Sequence, residues 1–506
     1  MNRSKKALKN IMFGYLGTII NLILKFTIQT IFIKFLGAEL LGVNGLYTNI
    51  LSVLSLAELG IGTAMNFSLY KPVAENDYEK VKSLMKIFKK TYRNIAFIIM
   101  TLGLILLPFL EKLVINRGEI SVFDLKLYYL IFLFNTVTTY FVSYKFSLSN
   151  AEQKNYIYTN IKMLSGLFSG ICQIIIIVIY KNFLLYLIIV TITETLHKIY
   201  THYYFKKNYI YLNEKNVQKI EKQELKELSK NIRALIFHKI GSVSVHSTDN
   251  IIIASFIGIK EVGIISNYSL ILLASNSIIN VIFNSLTSSF GNLVATENSK
   301  KQLELFNIYR FLGFYIFGGI TLLFLLLLNP FIELWFGGEY LIDKLILIVI
   351  LLNYYLMGQR IVVNNFKIAS GNFDSDKYVA LAQAVLNLLI SIVLVKKIGL
   401  LGIYIGTLIQ GLLATLIKPF YVYKFSFDIS SKWYYISELK RVFLLISIYK
   451  ILEKITDNYA LKNTWSNLAV RGVITVIFAN IVFLIIFYRS KEMKYFIKKL
   501  KKRGVV

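Results

Sequence analysis

The sequence predicts an all-α integral membrane protein of about fourteen transmembrane helices, and three observations carry that expectation. Apolar blocks of roughly 20 residues recur along the whole chain, each as long as a bilayer core requires. Lys and Arg gather between alternate blocks, the asymmetry of cytoplasmic loops. A motif early in the chain returns about 221 residues later, which turns a series of helices into two repeats.

Composition excludes most alternatives. Of 506 residues 56% are hydrophobic and 15% aromatic, with only 4 prolines. A soluble protein of this length would divide into two or three domains with polar surfaces, and no polar stretch long enough for one remains. The net charge of +29 reads as loop charge, because no soluble fold is left to display a basic stripe to nucleic acid. Cys172 lies in an apolar block; a lone thiol forms no intrachain disulfide and has no metal-site spacing around it. The basic start MNRSKKALKN leads into about 25 apolar residues, too long for a signal-peptide core and without a small-residue cleavage site. It reads as a retained first helix.

In order, helices are expected at 10–35 and 41–69, either side of the turn FLGAELLG, then at 94–115, 125–148, 157–180 and 183–205. A second set follows at 233–257, 262–293, 311–329, 341–366, 378–395 and 399–421. Two more, 441–456 and 465–488, close the series; the thirteenth is short and ends in Glu453, Lys454 and Asp457. The organisation is therefore an N-lobe over 1–205, a cytoplasmic linker over 206–232, a C-lobe over 233–424, and helices thirteen and fourteen with a basic tail over 425–506. With the N-terminus inside, the loops near 71–93, 206–232 and 296–310 and the tail KEMKYFIKKLKKRG are cytoplasmic, and about 39 Lys and Arg fall inside against about 10 outside. The tail lysines then lie near anionic headgroups. Val81, Leu84, Met85 and Phe88, and again Ile220, Leu225, Leu228 and Ile232, fall at helical spacing among charges, as in helices lying in the interface or in ordinary solvated ones. Trp335, Trp433 and Trp465 near helix ends are interfacial anchors.

The repeat pairs FLGAELLGVNGLY, Phe35 to Tyr47, with FIGIKEVGIISNY, Phe256 to Tyr268. Phe35 matches Phe256, Gly37 Gly258, Gly42 Gly263 and Tyr47 Tyr268. Related turns recur at QKNYI and SDKYV, between helices four and five and between ten and eleven. Six helices separate equivalent positions, so both copies start from the same side and are parallel repeats about an axis along the membrane normal. Two such lobes imply a cavity between them and access that alternates as they rock, a different expectation from a channel's pore signature.

Polar side chains inside apolar helices face a protein interior or a wet cavity. Helix 1 carries Thr18, Asn21, Lys25 and Gln29 as one stripe, and helix 7 carries Lys239, Ser242, His246 and Asn250 at the same offset. Asp249 is three residues beyond His246; helix 8 has the ladder Asn276, Asn280, Asn284 and Ser288; helix 2 has Asn44, Thr48, Ser52, Ser55 and Glu58. With Arg360 in helix 10, these describe a hydrated, positively charged cavity suited to an anionic, hydrogen-bond-rich cargo. Interhelical hydrogen bonding is the alternative for each Asn or Ser. Lys25, Asp249 and Arg360 are harder to explain as packing, while Glu58 and His238 fit either role. Gly60 and Gly62 in LAELGIGTAM would allow helix 2 to bend or to pack closely. No phosphate-binding glycine loop, zinc spacing, nucleophile triad or large loop that could hold a substrate is present, so no ATPase, cofactor, metal or catalysis is expected.

The segments STDNIIIASFIG with VGIISNY, SNAEQKNYI, SGNFDSDKY and KKIGLLGIYIGTLI resemble those of the polysaccharide repeat-unit flippases. These are the O-antigen, capsule and exopolysaccharide transporters of the multidrug/oligosaccharidyl-lipid/polysaccharide exporter (MOP) superfamily. The resemblance runs over essentially the whole chain, last two helices included, and its motifs mark topology rather than chemistry. It implies a MATE-like, V-shaped two-lobe fold in a bacterial cell membrane and movement of an undecaprenyl-diphosphate-linked oligosaccharide from inner to outer leaflet, with coupling to a proton or sodium gradient. Polysaccharide polymerase and glycosyltransferases would be its partners. From position, Lys25 and Arg360 are candidate diphosphate contacts, with Asn21, Gln29, His246, Asn276, Asn280 and Asn284 lining the cavity; Asp249, His246 and Glu58 are candidate ion-coupling groups. The alternatives are a peptidoglycan-precursor flippase, a cation-coupled drug exporter of the same fold, and a non-transporting scaffold of polysaccharide synthesis.

Overall fold

A computed structural model of the chain describes residues 3–58, 61–214, 218, 220, 247–370, 377–458 and 463–501. Among the described residues all regular structure is helical. The chain divides into two compact units, Met1–Ser266 and Asn267–Val506.

In the N-terminal unit, α1 (Arg3–Leu54) is continuous except at Gly37, whose φ of +82° and ψ of 175° are non-helical. A side chain disfavours that φ, so glycine sets the bend that divides the first expected helix from the second. The second helix is interrupted again by a 3₁₀ turn, Ser55–Glu58, before α2 (Ile61–Ala74). α3 (Tyr78–Leu106) begins at Asp77, whose side chain accepts a hydrogen bond from the Lys80 backbone N–H. Val81, Leu84, Met85 and Phe88 are all buried in its first turns. Their stripe therefore faces the protein, and no separate helix lies in the interface there. The other candidate interfacial segment lies almost wholly outside the described residues.

α4 (Val122–Ser143) ends short of the expected residue 148, and Lys145–Ala151 forms the separate short helix α5. α6 (Asn155–Tyr180) and α7 (Phe183–Asn208) follow, joined by Lys181 in left-handed conformation and by Asn182, whose side chain caps α7. Helix α8 covers 247–256, and α9 (Ile259–Thr296) begins in this unit. α1 packs on α6, α6 on α7, α7 on α4 and α4 on α3.

The C-terminal unit continues with α10 (Ser299–Phe336), α11 (Lys344–Ala369), α12 (Lys377–Ile398), α13 (Leu400–Val422), α14 (Lys432–Asn458), α15 (Trp465–Phe487) and α16 (Lys491–Lys501). Aromatic rings fill its interior: Phe366 lies 5.3 Å from Phe306 and 5.0 Å from Phe427, and Phe314 packs 5.2 Å from Phe483. In a bilayer such van der Waals packing replaces the hydrophobic drive that water would supply.

Eleven stretches among the described residues are long and apolar enough to cross a bilayer. The first, Leu16–Leu54, holds parts of two expected helices. Most of the seventh expected helix lies outside the described residues. The thirteenth is longer than expected, α14, but Glu438, Lys440, Arg441, Lys450 and Glu453 lower its apolarity. Exposed Phe134 and Phe141, Leu388 and Val393, and Ile477, Ile481 and Ile485 mark faces that no aqueous protein would present in such number. They are lipid-facing.

Candidate functional site

The repeated motif is built twice and meets itself inside the N-terminal unit. Gly37 and Gly258, equivalent in the repeat, both have positive φ, +82° and +157°. The turns they make bring α1 across the start of α9 at backbone contact. A Cβ on Gly42 would stand 1.9 Å from the Ile259 carbonyl oxygen, and one on Gly263 would stand 1.9 Å from that of Ala38. Ala38 and Ile259 are themselves equivalent, as are Gly45 and Ser266, where a Cβ on Gly45 would come 3.1 Å from the serine hydroxyl. The contact is thus reciprocal, position for position. Around it, Asn116 Nδ2 donates to Ile257 O at 2.8 Å, Ile115 N to Ala254 O at 3.1 Å and Ser255 Oγ to Leu113 O at 3.0 Å.

The equivalent tyrosines repeat a role as well as a position. Tyr47 is fully buried and donates to Leu125 O near the start of α4 at 2.8 Å. In the C-terminal unit Tyr268 donates to Asn329 Oδ1 at 2.8 Å and accepts from Ile342 N just before α11. Each fixes the fourth helix of its own repeat.

The residues singled out by sequence fall into different settings. Lys25 is exposed, and no carboxylate among the described residues pairs with it. Asn21 Nδ2 donates to Gly17 O one turn back at 2.7 Å, and Gln29 is half-buried on the same helix. The hydroxyls of Thr48, Ser52 and Ser55 likewise donate to carbonyls four residues earlier. That stripe satisfies its own donors, as hydroxyl side chains in membrane helices commonly do. Glu58 Oε1 accepts from Tyr92 Oη at 2.9 Å, and the Tyr92 ring lies 6.0 and 6.3 Å from those of Tyr140 and Tyr144. Asp249 is half-buried in α8; His246, His238, Lys239 and Ser242 lie outside the described residues.

In the C-terminal unit, Asn276 Oδ1 is buried with no hydrogen-bond partner among the described residues, while its neighbour Ser275 bonds Tyr354 at 2.8 Å. Asn280 is half-buried on the same helix, and Asn284 falls on it one turn further. Arg360 Nη1 donates to Gly411 O at 2.6 Å and Thr415 Oγ1 at 2.9 Å on α13. Gly411 is where the guanidinium rests: a Cβ there would come 3.3 Å from Nη1.

Sequence reading missed three buried charges: Lys145 and Lys198 fall inside expected helices without being singled out, and Arg310 falls in an expected loop. Arg310, 5% exposed on α10, donates through Nη2 to Glu438 Oε1 at 2.7 Å, and Arg441 donates to the same oxygen at 2.7 Å. The Arg310 guanidinium also lies 4.1 Å from the Tyr434 ring centre. Lys198 on α7 donates to Asn135 O at 3.0 Å and Thr138 Oγ1 at 2.9 Å on α4. Lys145, 7% exposed on α5, faces His202 Nδ1 at 3.0 Å. Their only sequence signal is a cation set inside an otherwise apolar helix, most visible for Lys198 in TITETLHKIY.

No family model and no curated protein matches the chain. Among solved structures, the fold is similar to that of Lipid II flippase MurJ in an inward closed conformation, with TM-score 0.64 and 16% identity, spanning 95% of this chain and 100% of that one. It is also similar to an inward-facing multidrug resistance MATE family transporter of the MOP superfamily, with TM-score 0.61 and 15% identity over 79% of this chain and 92% of that one. A Vibrio cholerae MATE transporter matches with TM-score 0.57 and 16% identity over 82% and 96%. The chain has a MurJ- and MATE-like membrane fold.

Proposed function

We propose that this protein is a flippase that moves an undecaprenyl-diphosphate-linked oligosaccharide repeat unit from the inner to the outer leaflet of a bacterial cytoplasmic membrane by alternating access. The observation that carries the reading is coverage. The Lipid II flippase structure spans 95% of this chain, whereas the two multidrug transporters span 79% and 82%. The chain thus shares its fold over nearly its whole extent with a Lipid II flippase. The resemblance of its turns to those of the repeat-unit flippases favours a longer oligosaccharide as cargo. In this reading both termini are cytoplasmic, and polymerase and glycosyltransferases act beside it.

Lys25, Asn21 and Gln29 in the N-terminal unit, and Asn276, Asn280, Asn284 and Arg360 in the C-terminal unit, are the proposed cargo contacts, with His246. The free acceptor of Asn276 supports its place among them. Asp249, His246 and Glu58 are the proposed ion-coupling groups. Multidrug export is the second reading, favoured by the MATE-like fold, and it calls for an acidic rather than a cationic set of contacts.

Protein reconstituted into vesicles with a fluorescent lipid-linked oligosaccharide should move it across the bilayer. Lys25→Ala and Arg360→Ala should each slow that movement by about tenfold, the loss of one hydrogen bond to a charged group. Unchanged flipping in the double variant would remove both from the mechanism, and flipping of drugs but no lipid-linked sugar would replace the function. Asp249→Asn should abolish the response to an imposed proton or sodium gradient.

A further inference from the structure

Three lysines buried in the N-terminal unit are held in three ways, Lys198 by the oxygen acceptors of α4 already described. Lys82 on α3, 5% exposed, has two carboxylates: Glu79 at 2.5 Å and Glu214 at 2.6 Å. Lys145 has none. Its ammonium meets His202 Nδ1 at 3.0 Å and the His202 carbonyl at 3.5 Å, and the charge it faces is Lys89 from α3. Lys89 and Lys206 in turn add positive charge around His202. Among the described residues, neither Lys145, Lys89 nor His202 has a carboxylate within ion-pair distance.

A buried cation without a counter-charge is unfavourable by several kcal/mol in a low-dielectric interior. Burial, reinforced by Lys89, pushes the Lys145 ammonium down to about 8. Like charges from three helices stand together here, whereas Lys82, two turns earlier on α3, is neutralised. Among the described residues nothing neutralises this arrangement, and an anion would. Its depth suggests which kind. The span Val122–Ser143 ends just before Lys145 and the next span begins at Asn155, so α5 lies between two spans, where the lipid phosphates of one membrane face would stand. Exposed His202 and Lys89 form the rim, and buried Lys145 the floor.

We propose that Lys145, His202 and Lys89 form a binding site for a phosphate or diphosphate group at the membrane face of the N-terminal unit. Lys145 and Lys89 are point charges, and the remaining donors of Lys145 and the His202 ring supply hydrogen bonds to the anion oxygens. The site rests on burial, charge and the Lys145–His202 contact, and stands whether or not the cargo is a lipid-linked sugar. The phosphate can come from a lipid headgroup or from solution.

The test uses full-length protein in neutral phosphatidylcholine nanodiscs, with the histidines isotope-labelled and His202 assigned through His202→Gln. Sodium pyrophosphate should shift the His202 resonance saturably, where sodium gluconate at equal ionic strength does not. If the shift appears instead only in discs containing phosphatidic acid, the site is one for lipid phosphates. Either result supports the site. Lys145→Met should weaken the response at least about tenfold, and exposed Lys89→Gln, which does not threaten folding, should weaken it measurably. The absence of a saturable shift with both probes, or an equal shift in wild type, Lys145→Met and Lys89→Gln, would overturn the proposal.

Discussion

Arg310 in the C-terminal unit and Lys145 in the N-terminal unit are buried to nearly the same degree, 5% and 7% exposed, yet their surroundings differ in kind. Arg310 shares the Glu438 carboxylate with Arg441 and stacks on Tyr434, tying α10 to α14. Lys145 has an imidazole and a neighbouring lysine. A cation held by a carboxylate belongs to the architecture; one set against an imidazole and like charge is poised for something that arrives. The difference lies in partners and would be invisible to any count of buried charges.

The largest effect should come from removing the shared carboxylate. Glu438→Ala leaves two arginines buried without a counter-charge and should lower stability by about 3–5 kcal/mol, read from thermal or denaturant unfolding of the detergent-solubilised protein. Arg310→Ala should cost less, about 1–3 kcal/mol, because Arg441 still pairs with Glu438. Lys145→Met orphans no carboxylate and removes an uncompensated buried charge, so it should leave stability unchanged or raise it, while weakening pyrophosphate binding. If it instead destabilises as much as Glu438→Ala, the contrast between the two cations fails and Lys145 is a packing residue.

A smaller effect concerns pH. Lys145 lies below an ordinary lysine, at about 8. Its ammonium is fully charged below that pH and lost above it, so anion affinity should hold near neutrality and fall as pH rises through about 8. Arginine stays charged throughout this range, so Lys145→Arg should keep its affinity to higher pH. Isothermal titration with pyrophosphate between pH 7 and 9 reads both outcomes.

Much of this fold was legible in the sequence because bilayer physics is legible there. Apolar length and the repeat of Gly37, Gly42 and Tyr47 are one-dimensional signals. Partnership is not. The helical spacing of Val81, Leu84, Met85 and Phe88 was clear, yet it did not say whether lipid or protein covers that face. The polar stripe Thr48, Ser52 and Ser55 looked like cavity lining, and its hydroxyls bond to their own helix. Lys145 and Arg310 looked alike as cations near helix ends; tertiary contact gives Arg310 a carboxylate and, among the described residues, gives Lys145 none.

The crossing of Gly42 and Gly263 has a further consequence. Residue i meets residue j, and the equivalent of j meets the equivalent of i, which is the relation found in an isologous contact between two identical subunits. The chain therefore carries, within one polypeptide, the contact of a symmetric dimer. In a symmetric dimer any substitution there strikes both sides at once, so a change tolerable on one side alone cannot be made. Within one chain each half can vary separately. Gly45 opposite Ser266 shows that freedom in use, with a side chain admitted on one side only while the other stays bare.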